Sequence, residues 1–295
     1  MQLLSAKLCV LASSSSGNCS LLAIKSPTKT ITVLIDAGLS PRKTMALMER
    51  AGHDHTTIDH VLLTHLDVDH WNNGWLAKLP ESTVVHLHRR HTGRASRSGL
   101  LYLKTHPFES GFELVPGVHV SPLLVAHDDL GTAAFRIEFQ GFGTSLGYAT
   151  DTGRPTPKLC DHLAQVDVLA IESNYCPELQ KASTRPAFLK DRIMGGRGHL
   201  SNQESAAAVA RINPCRCVVL LHLSKECNKP EIATNLHQHV GRDVIVASAD
   251  SPSNWVDLSI SSQNSLAPRA QASADSKISA EIHIPVPRQT TIWGQ

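Results

Sequence analysis

Along residues 1–258, short runs rich in Val, Ile, Leu and Thr alternate with stretches that carry helix-start signals, and this alternation is what most limits the fold. Such a chain buries its strands in sheets and packs helices on their faces, the α/β class. The strand candidates are Leu8 to Ala12, Ser20 to Ile24, Ile31 to Ile35, Asp59 to Thr64, Thr83 to Leu87, Val118 to Val125, Ala133 to Phe139, Thr144 to Ala149, Val166 to Ile171, Cys217 to Leu221 and Val244 to Ala247. Ser40-Pro41 offers an N-cap followed by proline in the first turn, and Ser201 with Glu204 forms a capping box ahead of an Ala-rich helix to Ile212. Gly131, Gly141 and Gly143 flank a hairpin.

A chain of 295 residues, 41% hydrophobic and 18% charged, has ample apolar surface for a large core, which excludes a disordered or fibrous chain. No apolar run reaches the length of a membrane span. The apolar stretch Leu8 to Ala12 after Lys7 is too short for an export signal and reads as a first strand. With 28 Lys and Arg against 26 Asp and Glu, a polyanionic partner needs a local patch rather than bulk charge. The odd count of 7 cysteines with no CxxC is a poor disulfide framework and fits a reducing cytosol. Cys215 and Cys217, without a second pair, read as packing rather than as a metal site.

Residues 65–70 read HLDVDH, two histidines and two carboxylates, Asp67 and Asp69, within six positions directly after an apolar strand. This is metal-ligand density: alternate residues of an extended loop point the same way, so His65 and Asp67 converge, while Asp69 and His70 in the following turn reach a neighbouring position. Other isolated His and Asp residues recur where β-rich runs end: Asp36 after Ile35, His127 after Ala126, Asp151 after Thr150 and His222 after Leu221. Ligand sites of α/β sheets lie outside strand carboxyl ends, so one shared pocket explains the recurrence. Trp71 and Trp75 read as core or pocket wall.

The chain resembles the metallo-β-lactamase superfamily, whose signature is HxHxDH followed by a His, an Asp and a His at strand ends. The segments SSSSGNC (13–19), LIDAGL (34–39), TDTG (150–153), GHLSN (198–202) and LHLSKECN (221–228) resemble its YycJ-like, or WalJ-type, branch. The resemblance spans residues 8 to about 247. It implies a four-layer αββα sandwich and a dinuclear site for two divalent ions. One ion would take His65, Asp67 and His127, the other Asp69, His70 and His222. Asp151 would bridge them, and Asp36 would orient a ligand from behind. The bridged pair would share a hydroxide as nucleophile, with Asp69 and Asp151 framing it.

Asp67 departs from the pattern, standing where the superfamily has its second histidine. Three outcomes are open: direct coordination, binding through water, or a weakly held ion. A carboxylate is harder than imidazole and shifts preference from Zn²⁺ toward Mn²⁺ or Fe²⁺, so Asp67→His is expected from the sequence to give a zinc-like site. The related flavodiiron proteins carry an acid here, but the chain shows no flavodoxin-like domain.

For the substrate, the segment between Glu81 and Glu109 contains no acid but holds Arg89, Arg90, Arg94, Arg97 and Lys104 with His86, His88, His91 and His106. It reads as a basic surface for a polyanion, or as an ordinary solvated face. Lys190, Arg192 and Arg197 add a second basic run. His199 is placed as a proton donor, a phosphate contact or a helix-entry residue, and the loop from Ser13 to Gly17 as a phosphate cradle or a plain turn. Ser13 and Asn228 join the substrate-binding candidates by position in the resembling segments.

The expected function is a cytoplasmic metal-dependent hydrolase of phosphodiester bonds, with DNA as substrate and exonuclease action implied by the resemblance. The alternatives are a small-nucleotide phosphodiesterase and a metal-poor nucleic-acid-binding member. Residues 259–280 read as a polar linker. Residues 281–295 read as a docking peptide, in which Gln289 to Trp293 resembles sliding-clamp-binding peptides or folds back onto the domain.

Overall fold

The central strands are apolar on both faces, so each sheet needs cover on both sides. In the computed structural model, which describes residues 2–53, 57–238 and 241–260, that cover is a second sheet on one face and helices on the other. The first half of the chain gives β1 (Ser5–Ala12), β2 (Cys19–Lys25), β3 (Thr30–Ile35), α1 (Pro41–Arg50), β4 (His60–Leu62), β5 (Val84–His88), α2 (Thr92–Arg97) and β6 (Thr105–Phe108). The second gives β7 (Phe112–Val115), β8 (Val118–Val125), β9 (Thr132–Phe139), β10 (Thr144–Ala149), α3 (Pro157–His162), β11 (Val168–Glu172), α4 (Pro177–Ala182), α5 (Ala187–Arg192), α6 (Asn202–Ile212), β12 (Cys217–Leu221), α7 (Pro230–His237), β13 (Asp243–Val246) and β14 (Val256–Asp257).

One seven-stranded sheet runs β14-β1-β2-β3-β4-β5-β6 and the other β13-β12-β11-β10-β9-β8-β7. Both are mixed: β3 to β6 are parallel, as are β10 to β13, while the β1-β2-β3 and β7-β8-β9-β10 sections are antiparallel. Between the sheets lie Val33, Leu62, Phe135, Tyr148 and Val219. Outside the first sheet α1 contributes Leu47 and Met48, packed with Trp71 and Trp75; outside the second, Leu159, Val209 and Ala233 come from α3, α6 and α7. This is the αββα sandwich expected from the sequence. The capping box at Ser201 is formed, with Ser201 accepting from Glu204 N–H and the Glu204 carboxylate from Ser201 N–H.

Every strand candidate is present, with ends shifted by a few residues. β6, β7 and β14 were not anticipated, and each lies at the edge of its sheet. Edge strands are short and half wet, so they lack the apolar run that marks a central strand. All seven cysteines are unpaired. Among the described residues no helix is long and apolar enough to cross a membrane. Residues 261–295, with most of the proposed linker and the peptide Gln289 to Trp293, lie outside the described residues.

Three of the four histidines of the basic segment do not lie on a surface; His106 is exposed. His86, His88 and His91 are buried, and burial pushes all three imidazoles down, His86 to about 3 and His91 to about 4. His86 sits between His60 (3.1 Å) and His106 (3.0 Å) and stacks on Phe112. Its folded-state pKa lies below the ordinary 6.5, so the unfolded chain takes up the proton first, and stability is lost as pH falls from 6.5 toward 3. One such group contributes a slope of about 1.4 kcal/mol per pH unit. In urea unfolding between pH 6 and pH 4, His86→Phe is expected to flatten the stability profile by about that slope. Parallel profiles for the two proteins would show that His86 is not a buried neutral imidazole.

Candidate metal centre

Strand ends build the centre. Asp36 follows β3, Asp151 lies just beyond β10 and His222 follows β12, and all three have left-handed backbones with φ of 59°, 52° and 57°. Non-glycine residues enter that region at a cost of about 1–2 kcal/mol, with Asp, Asn and His the least reluctant. The conformation stops each strand sharply and turns its side chain into the gap between the sheet ends. The loop bearing HLDVDH is sewn to the segment after β3: Ala37 N–H donates to the His70 carbonyl (2.8 Å) and Asn72 N–H to the Ala37 carbonyl (2.9 Å). Gly38 is required by this approach, because a Cβ there would lie 1.8 Å from the Asp69 carbonyl oxygen.

The residues anticipated from the sequence come together in two groups. In the first, Asp67 Oδ2 lies 3.7 Å from His65 Nε2 and 3.8 Å from His127 Nε2. In the second, Asp69 Oδ2 lies 3.2 Å from His222 Nε2 and 3.6 Å from His70 Nε2. Asp151 touches both: its Oδ2 is 2.9 Å from His70 Nε2, and its Oδ1 is 3.6 Å from His222 Nε2 and 3.9 Å from His127 Nε2. Ligands about 2.0–2.2 Å from one tetrahedral ion stand roughly 3.3–3.6 Å apart, so most of these separations are close to those of ligands sharing a small cation.

The far sides of the rings are fixed. Asp36, wholly buried, takes His70 Nδ1 at 2.7 Å and accepts from Thr64 N–H (2.8 Å) and Thr64 Oγ1–H (2.9 Å). His127 Nδ1 donates to the Gly198 carbonyl at 3.1 Å. Each ring thereby turns Nε2 inward. His65 supplies the test of fit: its Nε2 is buried with no hydrogen-bond partner, facing Asp67 and the centre. An orphaned imidazole nitrogen beside carboxylates is what a resident cation satisfies, and the donor set of His nitrogens and Asp oxygens suits one or two divalent ions.

Electrostatics keep Asp67 and Asp151 ionised. The His127 ring beside Asp67, with His65 and Arg94, holds its carboxyl well below the usual range. Burial alone would raise Asp151, but the imidazoles of His222 and His70 hold it well below that range. Burial likewise opposes charge on His70 and His222, yet Asp151 raises both, His222 to about 9. Burial and the neighbouring His70 push His65 down.

The substrate candidates separate. Ser13 Oγ accepts from His222 N–H (2.8 Å) and donates to Asn18 Oδ1 (2.8 Å), so it braces the His222 turn. Asn228 is buried, its amide donating to the Ser173 and Asn174 carbonyls. Arg89 is 3.8 Å from Glu109, Arg90 donates to the Asp129 carbonyl, and Arg94 pairs with Asp67. Arg97 lines a cavity of about 640 Å³ that includes His65, Asp67 and His127, and it has no carboxylate partner among the described residues. A second cavity of about 490 Å³ on the His199 and His222 side also reaches Asp67 and His127. Arg192, on α5, lines both, and its Nη2 lies between the two carboxylate oxygens of Asp128 (2.7 and 2.8 Å).

Sequence reasoning missed Glu172, Asn174 and Asn18. Glu172, fully buried, accepts from Thr152 N–H (3.0 Å) and lies 2.6 Å from His199 Nδ1. It ends β11, so the strand-end rule that found Asp36, Asp151 and His222 would have found it too. Asn174 lies 2.9 Å from His222 Nδ1, and Asn18 is 3.0 Å from His70 Nε2; an amide carries no such positional signal.

Comparison with known proteins agrees with this geometry. Residues 32–223 match the family model described as beta-lactamase superfamily domain. The chain is 30% identical over 236 residues to an exodeoxyribonuclease WalJ of Streptococcus pneumoniae (serotype 2, strain D39), covering 77% of this chain and 85% of that protein. It is 27% identical over 234 residues to an exodeoxyribonuclease YycJ of Bacillus anthracis, covering 76% and 84%. Among solved structures, the metallo-beta-lactamase fold protein YhfI of Bacillus subtilis superposes with a TM-score of 0.65 at 15% identity (86% of this chain, 99% of that one). Zn²⁺-bound PqqB of Methylobacterium extorquens gives 0.63 at 18% (83% and 99%).

Proposed function

Because the chain belongs to the metallo-β-lactamase fold superfamily, with WalJ- and YycJ-like relatives, we propose that it is a dinuclear metal-dependent phosphodiesterase acting on DNA as an exonuclease. The observation that carries this reading is Asp151, which lies between the two ligand groups, its Oδ2 facing His70 and its Oδ1 both His222 of that group and His127 of the other. Divalent ions held by His65, Asp67 and His127 and by Asp69, His70 and His222 would supply Lewis-acid charge and a water acidified to a nucleophile near neutral pH.

The chain's own residues do the rest. Asp36 and the Gly198 carbonyl fix ring orientation, Asp151 holds the two groups in register, and Arg97 offers a guanidinium to a phosphate in the cavity beside the centre. His199, held by Glu172, hands a proton to the departing oxygen. The unpaired thiols support a cytosolic location.

The test is digestion of end-labelled single- and double-stranded oligonucleotides by full-length protein with Mn²⁺ or Zn²⁺. Stepwise shortening that EDTA stops is the expected result. Arg97→Ala is expected to weaken oligonucleotide binding and lower its salt slope by about 1, because one counterion fewer is released. A protein that holds metal but leaves every oligonucleotide intact would refute the nuclease reading. One observation favours a small nucleotide instead: Arg89, Arg94, Arg185 and Arg192 already have carboxylate partners. Hydrolysis of dinucleotides without processing of longer strands would select that alternative.

A further inference from the structure

We propose that Arg94 is the counter-charge that lets Asp67 stand in for a histidine, so that the pair, rather than the carboxylate alone, forms the third donor of the His65 and His127 site. The inference rests on the metal-centre reading above and concerns how that centre is tuned.

The two oxygens of Asp67 serve different partners. Oδ1 accepts from Arg94 Nη1, reaching over from α2, while Oδ2 faces His65 Nε2 at 3.7 Å and His127 Nε2 at 3.8 Å. An unrestrained carboxylate can offer both oxygens to one ion; with Oδ1 committed to a guanidinium, Asp67 offers one, as an imidazole would. Charge follows the same logic. A histidine ligand is neutral, an aspartate brings one negative charge, and Arg94 returns the pair to zero. The two side chains are 27% and 39% exposed, so the contact sits at the rim of the centre and not in the core. Arg94 comes from a stretch without acids between Glu81 and Glu109, and its carboxylate partner is the residue that breaks the HxHxDH pattern.

The sequence-based expectation for Asp67→His therefore changes. Introducing a neutral imidazole strands the Arg94 guanidinium beside an incoming dication, and like charges repel. Asp67→His alone is expected to weaken the ion of the His65 and His127 site by about tenfold or more, the scale at which changes around metal ligands act. Asp67→His combined with Arg94→Gln should recover affinity to within about threefold of wild type. Arg94→Gln alone removes a like charge beside the cation and leaves Asp67 its full negative charge, so it should tighten that ion by about threefold or more.

The measurement is equilibrium titration of EDTA-stripped full-length proteins with Zn²⁺ and with Mn²⁺, with unfolding curves of the metal-free proteins to confirm folding. Catalysis is not the readout, so the outcome is separable from the nuclease assay. A double variant no better than Asp67→His overturns the inference, as does an Arg94→Gln protein with wild-type affinity. Wild-type protein that binds no ion would bring down the metal centre and this inference together, whereas wild-type binding indifferent to Arg94 would bring down the inference alone.

Discussion

If the centre works as proposed, Asp151→Ala and Asp151→Asn proteins will fold, lose at least one of two bound ions and hydrolyse phosphodiesters about 10³-fold more slowly or worse, since the lost electrostatic stabilisation amounts to about 4 kcal/mol. Asp151 is 2% exposed and surrounded by the imidazoles of His70, His222, His127 and His199, the nearest nitrogen 2.9 Å away. Removing its charge leaves two ligand groups with no shared anion. The asparagine variant matters because φ at Asp151 is 52°, a conformation asparagine adopts readily and alanine resists. Circular dichroism separates folding from chemistry, and ion content by atomic emission reports the centre directly. A folded Asp151→Asn protein with two ions and wild-type turnover would end the reading of Asp151 as the shared bridge.

What the sequence made legible, and what it hid, follows from range. Strand candidates such as Cys217 to Leu221 stand out because a strand buried on both faces needs a continuous apolar run, and Asp36, Asp151 and His222 were singled out because each follows such a run. Adjacency in sequence could not say which polar groups spend their bonds on one another. Arg94 and Asp67 are 27 residues apart, so a reading by local charge placed the arginine on a DNA-binding face, whereas the fold gives it to the centre. The same holds for Ser13, whose hydroxyl braces a residue 209 positions away. Histidines mislead similarly: His86 and His88 lie among basic residues in the sequence but point between the sheets, because strand alternation sends Val85 and Leu87 to the helix side.

His199 offers the sharpest test of mechanism, because two roles the sequence left open, proton donor and phosphate contact, respond differently to the leaving group. Its Nδ1 lies 2.6 Å from Glu172 Oε1, and Glu172 is itself pinned by the backbone N–H groups of Thr152 (3.0 Å) and Leu200 (3.3 Å). Glu172 behind Nδ1 fixes the ring's orientation and turns the opposite nitrogen toward the cavity over the centre, which the ring borders. Losing a general acid removes about 10²–10⁴ in rate when the leaving group is an alkoxide such as a sugar hydroxyl. A nitrophenolate departs without a proton. His199→Ala is therefore expected to cut oligonucleotide hydrolysis by about 10²-fold or more but that of bis(p-nitrophenyl) phosphate by less than about tenfold, and Glu172→Gln should follow with a smaller split. Equal losses on both substrates would make His199 a phosphate contact, since binding energy lost at the phosphoryl group is indifferent to what departs from it.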